Sequence, residues 1–227
     1  MVGQRTPMKV TQYITFRCNL SCQYCGRKNL KVPELDTQEV KFYIREFRKM
    51  GTYFWSFNGG ECLLREDLGD LIRYVNETGM KCNIVTNGIL VPSRIEWLKP
   101  LDLVITSIDG PEKIQDAIRG RGVFKKNIAA LEALASHGIK TVVVSVLTSE
   151  NIDYLPDTLN IVRYYGHYWD VQPVVVHRGD LKGAAQEFMF DKSKLMEAID
   201  WIIAQKREGA PVFSALTYLE DMKKFPH

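Results

Sequence analysis

The chain has 227 residues, 45% of them apolar, and 30 basic against 27 acidic side chains give it a formal charge of +3. That length carries one large domain with a full core, and the near-neutral balance excludes both the basic footprint of a dedicated nucleic-acid binder and the charge excess of a disordered chain. No apolar run reaches the roughly 18 residues of a membrane-spanning helix, and Met1–Pro7 has no secretory apolar stretch.

In chain order, Val10 to Phe16 is rich in β-branched and aromatic residues and predicts a buried strand. Asp36 with Glu39 three residues on predicts a helix start; Val40, Tyr43, Ile44, Phe47 and Met50 then recur at helical spacing up to Gly51. Tyr53 to Phe57 is a second strand. Leu68 to Val75 is a helix closed by Gly79, and Lys81 to Thr86 a third strand. Leu101 to Ile108 is the fourth strand, Phe124 to His137 a helix closed by Gly138, and Thr141 to Leu147 the fifth strand. Tyr154 to Tyr165 is a helix, Val171 to Val176 the sixth strand, and Leu195 to Ile203 a helix ending near Gly209. Phe213 to Phe225 is amphipathic, and His177 to Phe190 is the longest irregular stretch.

Continuous apolar strands alternating with helices predict a parallel sheet covered by helices. Six units fit either an open doubly wound sheet or a barrel short of eight strands. Both place functional groups just past the C-terminal ends of the strands. No internal repeat or linker divides the chain; residues 1–209 are expected to form the core domain and 210–227 a helical tail.

Three of the five cysteines, Cys18, Cys22 and Cys25, fall within eight residues directly after the first strand, spaced C-x3-C-x2-C. An odd cysteine count without a signal peptide points to a reducing compartment, with a cytoplasmic location expected, and there such a cluster is expected to be metal-binding or catalytic rather than disulfide-bonded. The i, i+4, i+7 spacing also fits three cysteines buried on one helix face. Structural zinc wants four ligands and would require Cys62 or Cys82 to join. An iron–sulfur cube held by three thiolates keeps one iron open for a reactant.

The C-x3-C-x-aromatic-C arrangement, with Tyr24 at the aromatic position, resembles the cluster motif of the radical S-adenosylmethionine (radical SAM) superfamily, in particular the core domain of its SPASM/twitch-type members. Gly59-Gly60-Glu61 after the second strand resembles that family's GGE motif, Thr86-Asn87-Gly88 its TNG, and Asp116 to Gly120 its D-x-x-R-G stretch. The resemblance covers residues 10 to 205. It implies a partial TIM-like (β/α)6 barrel with a parallel sheet and outer helices. It also implies a [4Fe-4S] cluster on Cys18, Cys22 and Cys25, and an S-adenosyl-L-methionine cofactor near Tyr24, Gly59, Gly60, Glu61, Thr86, Asn87, Ser107, Arg119 and Leu147. Glu61 would support the methionine amino group, and Arg119 would pair with its carboxylate, a task suited to a planar guanidinium. Thr86, Asn87 and Ser107 would face ribose and carboxylate. Val146-Leu147, and the Gln172-Pro173 region, would contact adenine. The implied chemistry is reductive cleavage of the cofactor to a 5′-deoxyadenosyl radical that abstracts hydrogen from a peptide or a cofactor or metabolite precursor. The implied partner is a flavodoxin- or ferredoxin-like low-potential electron donor. The competing functions are a zinc- or cluster-binding protein without turnover and an electron carrier.

Two positions depart from the pattern. Cys62 stands where relatives usually carry Pro, and is expected to be a plain buried cysteine ahead of a substrate-facing thiol. No cysteine follows Cys82, so the auxiliary-cluster extension of many relatives is not in this sequence. The chain is either a core with one cluster or a piece cut short. His177 and Arg178 are expected in a solvated loop, His137 at a helix end, and Tyr164, Tyr165, Tyr168 and Trp169 in core or rim.

Overall fold

The computed structural model describes residues 6–26, 30–174, 188–189 and 191–224. Six strands, β1 (Lys9–Thr15), β2 (Phe54–Gly59), β3 (Lys81–Val85), β4 (Leu103–Ser107), β5 (Thr141–Leu147) and β6 (Tyr168–Pro173), form one parallel sheet. The principal helices are α1 (Thr37–Lys49), α2 (Leu68–Glu77), the short α3 (Ile95–Leu98), α4 (Glu112–Arg119), α5 (Val123–Ser136), α6 (Leu155–Tyr164), α7 (Lys192–Arg207) and α8 (Leu216–Met222).

The strand order is β1-β2-β3-β4-β5-β6, without a reversal. A doubly wound sheet reverses its order at a switch point so that helices cover both faces. Here every crossover steps the same way, and same-handed crossovers put all helices on one side. The architecture is therefore the partial barrel, and among the described residues β1 and β6 remain unpaired with each other.

Side chains alternate between the two faces. Trp55, Phe57, Ile84, Val104, Val143, Trp169 and Val171 point outward and are buried under the helices. Val40 and Ile44 of α1 and Leu71, Ile72 and Val75 of α2 pack on the β2–β3 side. Leu159 of α6 and Leu195, Ile199 and Ile202 of α7 pack on the β5–β6 side. Helix α1 starts as expected: the Asp36 carboxylate accepts from the N–H groups of Gln38 and Glu39, and Glu39 accepts from the N–H of Asp36. Such a capping box contributes about 1 kcal/mol.

Two elements differ from expectation. Strand β6 covers Tyr168–Pro173 rather than 171–176, because β5 pairs with it along its length, from Val142 opposite Tyr168 to Leu147 opposite Pro173. Trp169 is consequently core, while Tyr164 and Tyr168 are exposed. Helix α4, two turns long and directly before α5, adds an element that the apolar periodicity does not mark. After α7 the chain returns to β6: the Trp169 N–H donates to Pro211 C=O and the Phe213 N–H to Trp169 C=O. Leu219 and Met222 of α8 are buried with α7. His137 caps α5, as expected, with its Nδ1 at 2.8 Å from Ala133 C=O. His177 and Arg178 lie outside the described residues.

Candidate active site at the strand ends

The loop after β1 carries the three cysteines, and neighbouring loops fix its course. The Gly60 N–H donates to Thr15 C=O (2.8 Å) and the Glu61 N–H to Arg17 C=O (2.9 Å). A Cβ at Gly60 would lie 2.4 Å from Arg17 O, and one at Gly59 2.3 Å from Thr15 O. The two glycines are thus required by the chain's own backbone, which crosses β2 at contact distance on its way to Cys18. Farther along, the Gln23 N–H donates to Ile118 C=O at the end of α4 (3.0 Å), and the Cys25 N–H to Cys22 C=O. On the return side, Thr15 Oγ1 donates to Glu34 (2.5 Å), while Arg65 Nη1 donates to Ile14 C=O (3.1 Å) and Leu35 C=O (2.8 Å). The cysteine loop is therefore clamped where it leaves β1 and where it comes back to α1.

Cys18, Cys22 and Cys25 are each half-buried and all line one cavity of about 410 Å³. Burial pushes the Cys18 and Cys22 thiols up. Cys18 Sγ receives the Leu20 N–H (3.4 Å) and the Asn87 amide (3.8 Å), the kind of N–H to sulfur contact that tunes a thiolate-held cluster. Among the described residues no three His, Cys, Asp or Glu side chains are close enough to hold a single metal ion. The three cysteines share the lining of that one cavity, and thiolates are the soft ligands that iron–sulfur clusters take. Cys62 and Cys82 are fully buried in the helix-facing core. The Cys62 thiol donates to Val85 C=O (3.2 Å), burial raises both thiols, and neither lines the cavity. A fourth zinc ligand from either is thereby removed, and Cys62 is the plain buried cysteine.

The same cavity is lined by Tyr24, Gly59, Gly60, Thr86, Asn87, Ser107 and Arg119, distant in sequence yet adjacent here. Glu61 and Leu147 are not among its lining residues. Leu147 points outward into the α6–α7 core because it alternates with Val146, which does line the cavity. Gln172 lines it and Pro173 does not, for the same reason. Glu61 is fully buried behind the lining. Its carboxylate accepts from Thr86 Oγ1 (2.8 Å), the Leu63 N–H (3.0 Å) and the Asn87 N–H (2.7 Å). Burial pushes its pKa up against the pull of these bonds. Glu61 thus ties the Thr86-Asn87 turn to the segment that follows Gly59-Gly60.

Arg119 reaches the cavity through a buried ion pair. Its Nε donates to Asp109 Oδ2 (2.6 Å) and its Nη2 to the Tyr24 hydroxyl (2.7 Å), which in turn donates to Asp109 Oδ2 (2.9 Å). The side chains of Arg119 and Asp109 are 7% and 0% exposed. Burial alone would lower the guanidinium pKa, but Asp109 outweighs it and holds Arg119 charged. Among the described residues Nη1 has no protein partner, so Arg119 presents a charged edge to the cavity. Asp116 of the same stretch serves α5 instead, accepting from the N–H groups of Gly122 and Phe124.

Sequence reasoning missed a buried polar chain behind these loops. Asn127 Nδ2 donates to Asn87 C=O (2.6 Å), Gln115 Nε2 donates to Asn127 Oδ1 (2.7 Å), and the Asp109 N–H donates to Gln115 Oε1 (2.7 Å). Asn151 donates to Asp109 C=O and Val146 C=O. Each buried polar group is used, so the chain rigidifies the ends of β3, β4 and β5 together. One signal was available: Asn127 sits four residues from both Val123 and Leu131, on the apolar stripe of α5.

A family model of the radical SAM superfamily matches residues 13–162. The chain is 31% identical to mycofactocin maturase MftC of Mycolicibacterium smegmatis over 72% of its own length and 44% of the relative's. It is 30% identical to an AdoMet-dependent heme synthase of Oleidesulfovibrio alaskensis over 67% and 42%. It therefore spans less than half the length of these two relatives. Among solved structures, Streptococcus suis SuiB bound to precursor peptide SuiA superposes with a TM-score of 0.79 at 18% identity, covering 91% of this chain and 48% of that one. Native anSMEcpe with bound AdoMet and a peptide gives 0.74 at 17%, covering 90% and 63%. At these identities the structural likeness concerns the fold. No helix among the described residues is long and apolar enough to cross a membrane.

Proposed function

Because the chain belongs to the radical SAM superfamily, whose enzymes use a [4Fe-4S] cluster and S-adenosyl-L-methionine, we propose that Cys18, Cys22 and Cys25 hold that cluster and that the cofactor occupies the cavity beside them. The observation that carries this reading is that three thiols and the charged edge of Arg119 open into one space with Gly59, Gly60, Thr86 and Asn87. When bound, the cluster and cofactor supply a 5′-deoxyadenosyl radical that takes a hydrogen atom from substrate.

The protein's own residues do the rest. Arg119, held by Asp109 and Tyr24, offers a fixed guanidinium donor to the cofactor carboxylate. Thr86, Asn87 and Ser107 offer polar groups at the ends of β3 and β4, and Val146 offers an apolar contact on β5. Glu61 positions the Asn87 turn. The concave face limits access of water. Residues 1–209 are read as the core and the remainder as a tail docked on it. Substrate is a peptide or a cofactor or metabolite precursor, and electrons come from a low-potential flavodoxin- or ferredoxin-like donor in a reducing cytoplasm.

Anaerobic reconstitution should load about four irons and four sulfides per chain, and cofactor with dithionite should release 5′-deoxyadenosine. A well-folded protein that does neither refutes the reading.

A further inference from the structure

The cavity has a second end that the groups above do not use. Strand β6 contributes Asp170, with Gln172 two residues on, and the chain after α7 contributes Phe213. In register, Asp170 lies opposite Val144, which lies opposite Ser107. Ser107 closes β4, whereas three residues of β6 follow Asp170, so its carboxylate is recessed about 10 Å below the end of its strand. A ligand touching Asp170 therefore reaches into the barrel, beneath the loops that carry the cysteines.

Asp170 is the sole acid among the described residues lining the cavity, and the described residues give it no cationic partner. The carboxylate accepts from Ser214 Oγ, and hydrogen bonds from the Val171 N–H and the Gln172 side chain also favour its charged form. The other charged groups facing the space are Lys9, whose ammonium lies 5.5 Å over the Phe54 ring, and Arg119, paired with Asp109. Tyr218 of α8 approaches from behind and stays neutral, burial and Asp170 both raising its pKa. Hydrogen bonds offset part of the desolvation cost of this half-buried carboxylate, and an incoming cation would supply the counter-charge it lacks. Burial already pushes the Asp170 carboxyl up, in keeping with that cost.

Phe213 stands beside it. The Phe213 N–H donates to the C=O of Trp169, the residue before Asp170, while Ser214, the residue after Phe213, donates to Asp170 itself. The ring is 55% exposed and packs edge-on against Tyr168 at 6.3 Å. A carboxylate next to an available aromatic face is the combination that takes a cation on an alkyl stem.

We propose that Asp170 and Phe213 form a substrate subsite for an alkylammonium group, lysyl-like or a free small amine, and that it disfavours substrates presenting a carboxylate at this end. The proposal rests on the reading of the cavity as the active site, but its test is equilibrium binding without turnover. A failure here with normal cluster loading and 5′-deoxyadenosine release leaves that reading standing.

The probes are acetyl-Gly-Lys-Gly-amide, its Nε-acetyl counterpart and n-butylamine, titrated calorimetrically into the reconstituted protein with cofactor present. The lysyl peptide should bind at least tenfold more tightly than the acetylated one. Asp170→Asn, in which Ser214 can still donate to the amide oxygen, should erase that preference. Phe213→Leu should weaken the lysyl peptide while keeping the preference, and serves if Asp170→Asn does not fold. Comparable binding of butylamine and lysyl peptide assigns the subsite to a free amine; a clear advantage of the peptide assigns it to a side chain. Equal binding of the two peptides to the unaltered protein, no binding of any amine, or a preference surviving Asp170→Asn overturns the proposal.

Discussion

Replacing Asp109 by Asn removes one charge from the most buried ion pair of the site and leaves the shape intact. Arg119 would then keep a guanidinium that is 7% exposed with no counter-charge, and the new amide would turn a donor toward the Tyr24 hydroxyl, the Val146 N–H or Arg119 itself. Breaking a buried pair from one side costs about 3–5 kcal/mol. For a chain of this size that lowers the melting temperature by about 6–20 °C. Urea unfolding of the cluster-free protein, followed by circular dichroism, measures the loss without interference from the metal. Asp70→Asn is the control, because the Asp70–Arg73 pair is exposed on both sides and should change stability by less than about 1 kcal/mol. The double variant Asp109→Asn with Arg119→Met should recover much of the stability while leaving cofactor binding impaired, since the orphaned charge is gone but so is the guanidinium. A loss below about 1 kcal/mol in Asp109→Asn, the range of exposed pairs, or a double variant as unstable as the two single losses combined, would refute the argument that this pair is a desolvated anchor.

Three further outcomes are expected. Gly60→Ala forces a methyl against two backbone carbonyls, of Arg17 and Phe16, and should cut iron loading sharply at a stability cost of about 1–3 kcal/mol; iron content and unfolding midpoints check both. Cys22→Ala should abolish the cluster, whereas Cys62→Ala should leave iron content unchanged and reduce stability modestly, as elemental analysis of the two proteins will show. His167 is buried with Nε2 at 3.1 Å from Leu131 C=O, and burial holds its pKa below the ordinary histidine range. Its unfolded form binds a proton first, so stability should rise with pH up to about 6.5 and be lost as pH falls toward the lowered folded value; unfolding midpoints between pH 5 and 7 should lose that slope in His167→Gln.

The cysteine spacing, the Gly59-Gly60-Glu61 and Thr86-Asn87-Gly88 turns and the strand–helix alternation were legible because each is a local pattern: thiolate ligands, turn residues and apolar periodicity are written in neighbouring positions. The capping box at Asp36 and the glycine stops of the helices belong to the same class. Less legible was what a glycine or an acid was for. The sequence does not show that Gly60 makes room for the carbonyl of Arg17, or that the Glu61 carboxylate accepts from Thr86, Leu63 and Asn87.

Local order alone thus marked a three-cysteine loop after the first strand of a parallel α/β sheet. It did not decide between a doubly wound sheet and a barrel, because strand order depends on which edge each crossover returns to. Nor did it decide which of Val146 and Leu147 faces the cavity, because an apolar run has the same composition on both faces and only register and curvature separate them. The Asp109–Arg119–Tyr24 triangle, the Asn87–Asn127–Gln115 chain and the Asp170–Phe213 end join residues from 10 to 95 positions apart. Folding alone brings such distant polar groups together, since a buried hydrogen bond is met by whatever partner the packing delivers and not by its neighbour in the chain.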